Sequence, residues 1–171
     1  GRTLYGVLVV KKEANIQSIA QLDGKKVAFP APNAFGASLQ MRQELYDIFR
    51  INIVPRYVKT HDSVYLNVLL GETIAGGGVQ KTFNKQPSEY KHALKILHKT
   101  TPVASHPLAV HPQVPKEVSE AVKSALLKMG QTTEGKDMLA KIPMKKIGSA
   151  SMDDYLPLQE LKLERFYVKK K

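Results

Sequence analysis

The stretch Lys26-Val27-Ala28-Phe29-Pro30-Ala31-Pro32-Asn33-Ala34-Phe35-Gly36-Ala37-Ser38-Leu39-Gln40-Met41 changes its hydrophobic period halfway along. Val27 to Phe29 form a short apolar run that reads as a strand. Pro30 and Pro32 close it, because proline supplies no ladder donor and restricts the residue before it. From there Ala34, Ala37, Ser38, Met41, Leu45, Ile48 and Phe49 recur at three- and four-residue steps, which predicts a helix with one apolar face. Asn33 is expected to be its N-cap, since its side-chain oxygen can accept from first-turn amides. A strand passing through a brief loop into a helix is the repeating unit of an α/β fold.

Working outward, Tyr5-Gly6-Val7-Leu8-Val9-Val10 is a near-continuous β-branched run that stops at Lys11-Lys12-Glu13, as a buried strand emerging into solvent would. Residues 15–22 are expected to form a short helix, with Ile16, Ile19 and Leu22 on one face and Ser18 near its start. A strand is expected over 51–58, then a helix capped by Asp62 or Ser63 that carries Val64, Val68 and Leu69 and ends at Gly71. Ile74 to Val79 reads as a strand whose glycines permit another backbone, or a ligand, to approach closely. The alternation predicts a mostly parallel sheet, and the fold expected for residues 10–95 is a parallel or mixed α/β sheet flanked by helices. Farther on, Leu94 to Leu97 is apolar, Leu108-Ala109-Val110 is strand-like, and helices are predicted after Pro115 and over about residues 133–141, the second stopping before Pro143.

The 171 residues suffice for one ordinary domain or two small lobes. Hydrophobic residues at 43% and charged residues at 24% exclude a disordered or low-complexity chain. No apolar run approaches the roughly 20 residues of a spanning helix. The net charge of +11 favours anionic partners, whether nucleic acid, an anionic surface or a small oxyanion. Scattered lysines, no Trp and 7% aromatics give poor support to a base-stacking platform, so no nucleic-acid partner is expected. Without cysteine there is no disulfide, thiolate metal site or Cys nucleophile. Gly1 stands where an initiator Met is expected and no apolar signal region follows, which suggests a processed chain or a piece of something longer.

The candidate site gathers at three places that the alternation puts on one sheet edge. Asn33, Ala34, Phe35, Gly36, Ala37 and Ser38 open a helix whose free amides and positive dipole end suit a small oxyanion. His61, at the next strand-to-helix junction, could donate to an anion, and Gln80 could add an amide group after the glycine-rich strand. His92, His98, His106 and His111 are spaced unlike zinc ligands, so no metal is expected. No cofactor fingerprint, nucleophile elbow or acid/base pair is present, and no enzymatic activity is expected.

The strings "SIAQLDGKKVAFPAPNAFGASL", "THDSVYLNVLLGETIAGGGV" and "TTPVASHPLAVHPQVPKEVSEAVKSALLKM" resemble the second lobe, the cleft-lining stretch and the return crossing of ABC-transporter solute-binding proteins. The group they resemble binds phosphate, phosphite or phosphonate and has the type II periplasmic-binding fold. Members that bind phosphonates commonly carry a Ser-Thr-Ser cluster where this chain has Ala34, Phe35 and Gly36, and often an acidic residue where it has Gln80. The resemblance therefore implies a simple or uncharged-tail oxyanion rather than an aminoalkylphosphonate. It also implies a periplasmic receptor, monomeric when full length, that works with a membrane permease; the alternative is a ligand-sensing domain of a signalling protein or transcription regulator. On this reading residues 1–110 form the ligand-binding lobe with hinge-crossing strands at both ends. Residues 111–171 form a helical part that completes the other lobe and ends in a basic tail, and roughly 90 residues of that lobe are absent, against the 50 to 200 typical of a domain.

Overall fold

Val7, Leu8, Val9 and Val10 are all fully buried in the computed structural model, which describes residues 3–142 and 146–169. A strand can be apolar at every position only when both faces of its sheet are covered. Leu8 and Val10 enter one core with Val27, Phe29, Met41 and Leu45. Val7 and Val9 enter another with Ala28, Val64, Tyr65 and Val68. The period of two along this strand thus sorts its side chains into two cores, and a helix closes each.

The strands are β1 (Thr3–Leu4), β2 (Gly6–Lys11), β3 (Lys26–Phe29), β4 (Val54–Tyr57), β5 (Ala75–Val79), β6 (Leu94–Lys99) and β7 (Val103–Ala104). Five of them form a sheet in the order β4-β3-β5-β2-β6. The helices are α1 (Gln40–Asp47), α2 (His61–Leu69), α3 (Gln80–Asn84), α4 (Ser88–Ala93), α5 (Lys116–Met129), α6 (Thr133–Lys141) and α7 (Pro157–Glu160).

The sheet is mixed, not mostly parallel. β3 runs parallel to β4 and β5, whereas β2 runs antiparallel to β5 and β6. Helical crossovers α1 and α2 link β3, β4 and β5 and force a common direction on them. Between β2 and β3 there are only single turns of 3-10 helix, Lys12–Ala14 and Ile19–Leu22, and the chain reverses. The helix expected over 15–22 shrinks to the second of these turns, where the Gln21 side-chain oxygen accepts from the Gln17 and Ser18 amides at 2.8 and 2.9 Å. The strand expected over 51–58 is confined to Val54–Tyr57. Leu108-Ala109-Val110 is exposed and forms no strand, for it finds no neighbouring ladder. The helices expected after Pro115 and over 133–141 are α5 and α6; Pro143, expected to stop the latter, lies outside the described residues.

Two compact units result. Residues 3–103 with 157–169 make the α/β lobe, and residues 104–156 make the other unit. The terminal segment, expected to belong with residues 111–171, instead packs on the α/β lobe: Arg165 pairs with Asp47 at 2.6 Å, and Phe166 meets Tyr46 edge-on with ring centroids 6.0 Å apart. In the smaller unit α5 and α6 pack together, Leu139 is buried, and the Tyr155 hydroxyl donates to the Ser105 carbonyl at 2.9 Å.

Candidate oxyanion site

Beyond Phe29 the chain leaves the sheet through Pro30 and Pro32 and enters the helix by a wide turn, Phe35–Leu39, of π geometry. The Ala34 carbonyl accepts from both Ser38 N at 2.9 Å and Leu39 N at 3.0 Å. Ala34, not Asn33, occupies the N-cap, and no side chain caps it. Asn33 is engaged elsewhere: its Nδ2 donates to the Val168 carbonyl and its Oδ1 accepts from Val168 N, both at 3.0 Å.

The wide turn decides which amides are available. Ala34 N points to the Ala31 carbonyl at 3.4 Å, and Ser38 N is bonded to Ala34. The amides of Phe35, Gly36 and Ala37 have no acceptor among the described residues. Three successive donors at a helix start are suited to an anion, with the dipole end adding partial positive charge. Ser38 supplies none of this. It is fully buried, its hydroxyl donates to the Pro32 carbonyl at 3.0 Å, and its oxygen accepts from Arg42 Nε at 3.2 Å.

The turn lies directly on the sheet because two strand residues lack side chains. A Cβ on Gly6 would collide with the Gly36 carbonyl, and one on Gly77 with the Ala37 carbonyl. These contacts seat the turn against the first residue of β2 and the middle of β5. The carboxyl edge of an open α/β sheet is where such folds bind ligands.

His61 reaches the same edge from α2. The cap of α2 is Thr60, whose oxygen accepts from Ser63 N at 3.0 Å, so neither Asp62 nor Ser63 serves as the expected cap. His61 Nδ1 lies 3.3 Å from the Thr82 hydroxyl, which donates to the Val79 carbonyl at 2.9 Å and sits 2.8 Å from the Tyr65 hydroxyl. Burial holds the His61 imidazole below its ordinary pKa against a smaller opposing pull from Asp62. Burial likewise pushes the Tyr65 hydroxyl up to about 12, so it remains a donor. His61, Asp62, Thr82 and Lys85 line a shallow depression. Val79 links the two stations: its backbone meets Thr82, and its Cγ1 lies 3.5 Å from where a Gly36 Cβ would stand.

Gln80 opens α3 at the surface with its Nε2 donating to Asn84 Oδ1 at 2.7 Å. That Tyr65 and Thr82 stand with His61, and that Arg42 bonds the turn, was not legible in the sequence. Thr82 stands three positions after Val79, from where its oxygen reaches back to accept from Val79 N at 3.4 Å; an apolar N-cap with a threonine there carries no capping-box signature in sequence.

A model of the family described as ABC transporter, phosphonate, periplasmic substrate-binding protein matches residues 1–155. No curated protein sequence matches the chain. Among solved structures, XAC2383 from Xanthomonas citri bound to ATP is similar with a TM-score of 0.87 at 18% identity, over 96% of this chain and 67% of that one. PhnD1 from Prochlorococcus marinus in complex with methylphosphonate gives 0.77 at 15% identity, over 96% and 67%. A binding protein component of an ABC phosphonate transporter from Pseudomonas aeruginosa gives 0.77 at 17% identity, over 97% of this chain and 59% of that one. The chain thus spans about two thirds or less of these proteins, which share with it the type II periplasmic-binding fold. With nine-tenths of its length matched, the chain belongs to the family of periplasmic substrate-binding proteins of phosphonate ABC transporters.

Proposed function

We propose that this chain captures a small oxyanion, phosphate, phosphite or a simple phosphonate, and delivers it as a monomeric receptor to a membrane permease. The observation that carries the reading is the run of acceptor-less amides at Phe35, Gly36 and Ala37 on the sheet edge. They can bind oxygen atoms without a dedicated lysine. His61, held beside Thr82, is the side-chain donor nearest in kind, and Asn33, Ala34, Ser38 and Gln80 shape the surroundings without a hydroxyl or charge aimed at the ligand. The lack of an acidic residue at Gln80 disfavours an ammonium-bearing ligand. Capture would proceed by closure of two lobes, with ligand shifting the population toward the closed state through its higher affinity for that state. The +11 charge speeds encounter with anions in a salt-dependent way.

Calorimetric titration against phosphate, phosphite and methylphosphonate tests the reading. Saturable binding of at least one, weakened by His61→Ala, is the expected result. Absence of heat with all three on folded protein would overturn the ligand class.

A further inference from the structure

Arg42 is a buried guanidinium with no carboxylate partner among the described residues. Its Nη2 donates to the Pro32 carbonyl at 2.6 Å and to the Phe166 carbonyl at 2.8 Å, while Nε donates to Ser38 Oγ at 3.2 Å. Its Cζ lies 5.9 Å from the Tyr57 ring centroid and 6.0 Å from that of Phe166. One side chain therefore ties both ends of the Pro32–Ser38 loop to a segment more than 120 positions later in sequence. Asn33 repeats the connection from the other side through its paired bonds with Val168.

We infer that Arg42 and Asn33, acting through the segment Arg165–Val168, form a positioning clamp that sets the 33–39 turn in its binding shape before ligand arrives. The inference rests on the oxyanion reading above. The physical case is that three successive amides point one way only if the loop carrying them is ordered, and ordering a loop at the moment of binding costs affinity. Here the order is supplied from outside the loop. Arg42 fixes the Pro32 carbonyl, and the Ser38 hydroxyl that donates to that same carbonyl is fixed by Arg42 in turn. None of these groups is free to contact an anion; they are positioning residues.

The test compares wild type, Asn33→Ala and Arg42→Met for amide hydrogen exchange at Ser38 and Leu39, with Val9 in β2 as internal reference, and for methylphosphonate and phosphate affinity by calorimetry. The expected result is exchange at Ser38 and Leu39 at least tenfold faster relative to Val9, with oxyanion affinity about tenfold weaker. Asn33 is exposed, so Asn33→Ala keeps the test open if Arg42→Met fails to fold. Unchanged exchange in Asn33→Ala, exchange rising equally at Val9, or looser exchange with unaltered affinity would each overturn the clamp. If wild type binds no oxyanion, the proposed function fails, and the exchange ratio alone decides whether the clamp orders the turn.

Discussion

Glu44 on α1 and His98 on β6 meet with 2.7 Å between Oε2 and Nε2, and the same carboxylate accepts from Thr101 N at 2.7 Å through Oε1. Glu44 is almost wholly buried, yet Gln40 Nε2 also reaches it at 3.3 Å while donating to the Thr101 carbonyl at 2.6 Å. The helix that begins at the candidate site is thus bonded to the segment leaving the sheet. Burial by itself would raise the Glu44 pKa, but the bonds from His98 and Thr101 together outweigh it and hold the group below 4.5.

The sign of the consequence follows from a depressed carboxylate. Its stabilising contribution is complete above the unfolded value near 4.5 and is lost as pH falls through the folded value. Glu44→Gln should remove that part of the acid limb and destabilise at neutral pH by about 1 to 3 kcal/mol, through the lost charge-assisted bond to His98. Urea midpoints of both proteins between pH 3 and 7 check this; parallel pH curves for the two would refute it.

Gly6 and Gly36 face each other with opposite tolerances. Gly6→Ala drives a methyl into the Gly36 carbonyl, a backbone group that cannot rotate away, whereas a Cβ at Gly36 meets Val79, Gly6 and Leu4 only at 3.5 to 3.6 Å. Gly6→Ala should cost about 1 to 3 kcal/mol or displace the turn. Gly36→Ala should change stability by less than about 1 kcal/mol, since a helical alanine is favoured over glycine. Thermal unfolding of the pair decides, and equal midpoints would show that the turn does not rest on β2.

His61 titrates with the opposite charge type but the same pH sense. Burial favours its neutral form in the folded chain, so stability is fully present above 6.5 and declines as pH falls through the lower folded value. His61→Gln should flatten the loss of stability that sets in as pH falls below 6.5, while leaving the loss at lower pH to which the depressed carboxylates Glu44 and Asp47 contribute. Nuclear magnetic resonance titration of the ring protons gives a direct check: a midpoint at or above 6.5 would contradict it.

The fold is legible in the sequence wherever its determinants are local. Val27 to Phe29, the two prolines and the apolar steps to Leu45 place a strand, a loop and a helix where they occur, because period and proline chemistry act within a few residues, whereas Ile48 and Phe49, expected on the same apolar face, lie exposed beyond the end of α1. It is hidden where a partner comes from far along the chain. Asn33 is a good cap by type, but Val168 claims its side chain, and the helix opens one residue later. The antiparallel setting of β2 was hidden for a similar reason: an apolar run states that a strand is buried on both faces, not which way its neighbours run. The spacing of His98 from the other histidines says nothing of its partner, because Glu44 lies 54 positions away on a different element. At the site, the helix start and His61 were visible from their junctions; the roles of Arg42 and Thr82 depend on tertiary contacts.

Phe35 offers the sharpest test of the amides themselves. Proline belongs naturally at the first helical position, where its missing N–H leaves no internal hydrogen bond broken. Phe35 holds that position, its amide has no acceptor among the described residues, and Ala34 before it already has φ −66° and ψ 116°, the extended conformation that proline imposes on its predecessor. Phe35→Pro should therefore fold, with Phe35→Ala as the control for loss of the half-buried ring. If an oxyanion is held by this amide, Phe35→Pro should bind it more weakly than Phe35→Ala by about 1.5 to 3 kcal/mol, the worth of one hydrogen bond to a charged group. Ser38→Ala, which touches only the Pro32 and Arg42 bonds, should lower stability more than it lowers affinity. Equal calorimetric affinities for Phe35→Pro and Phe35→Ala would move the anion away from this helix start.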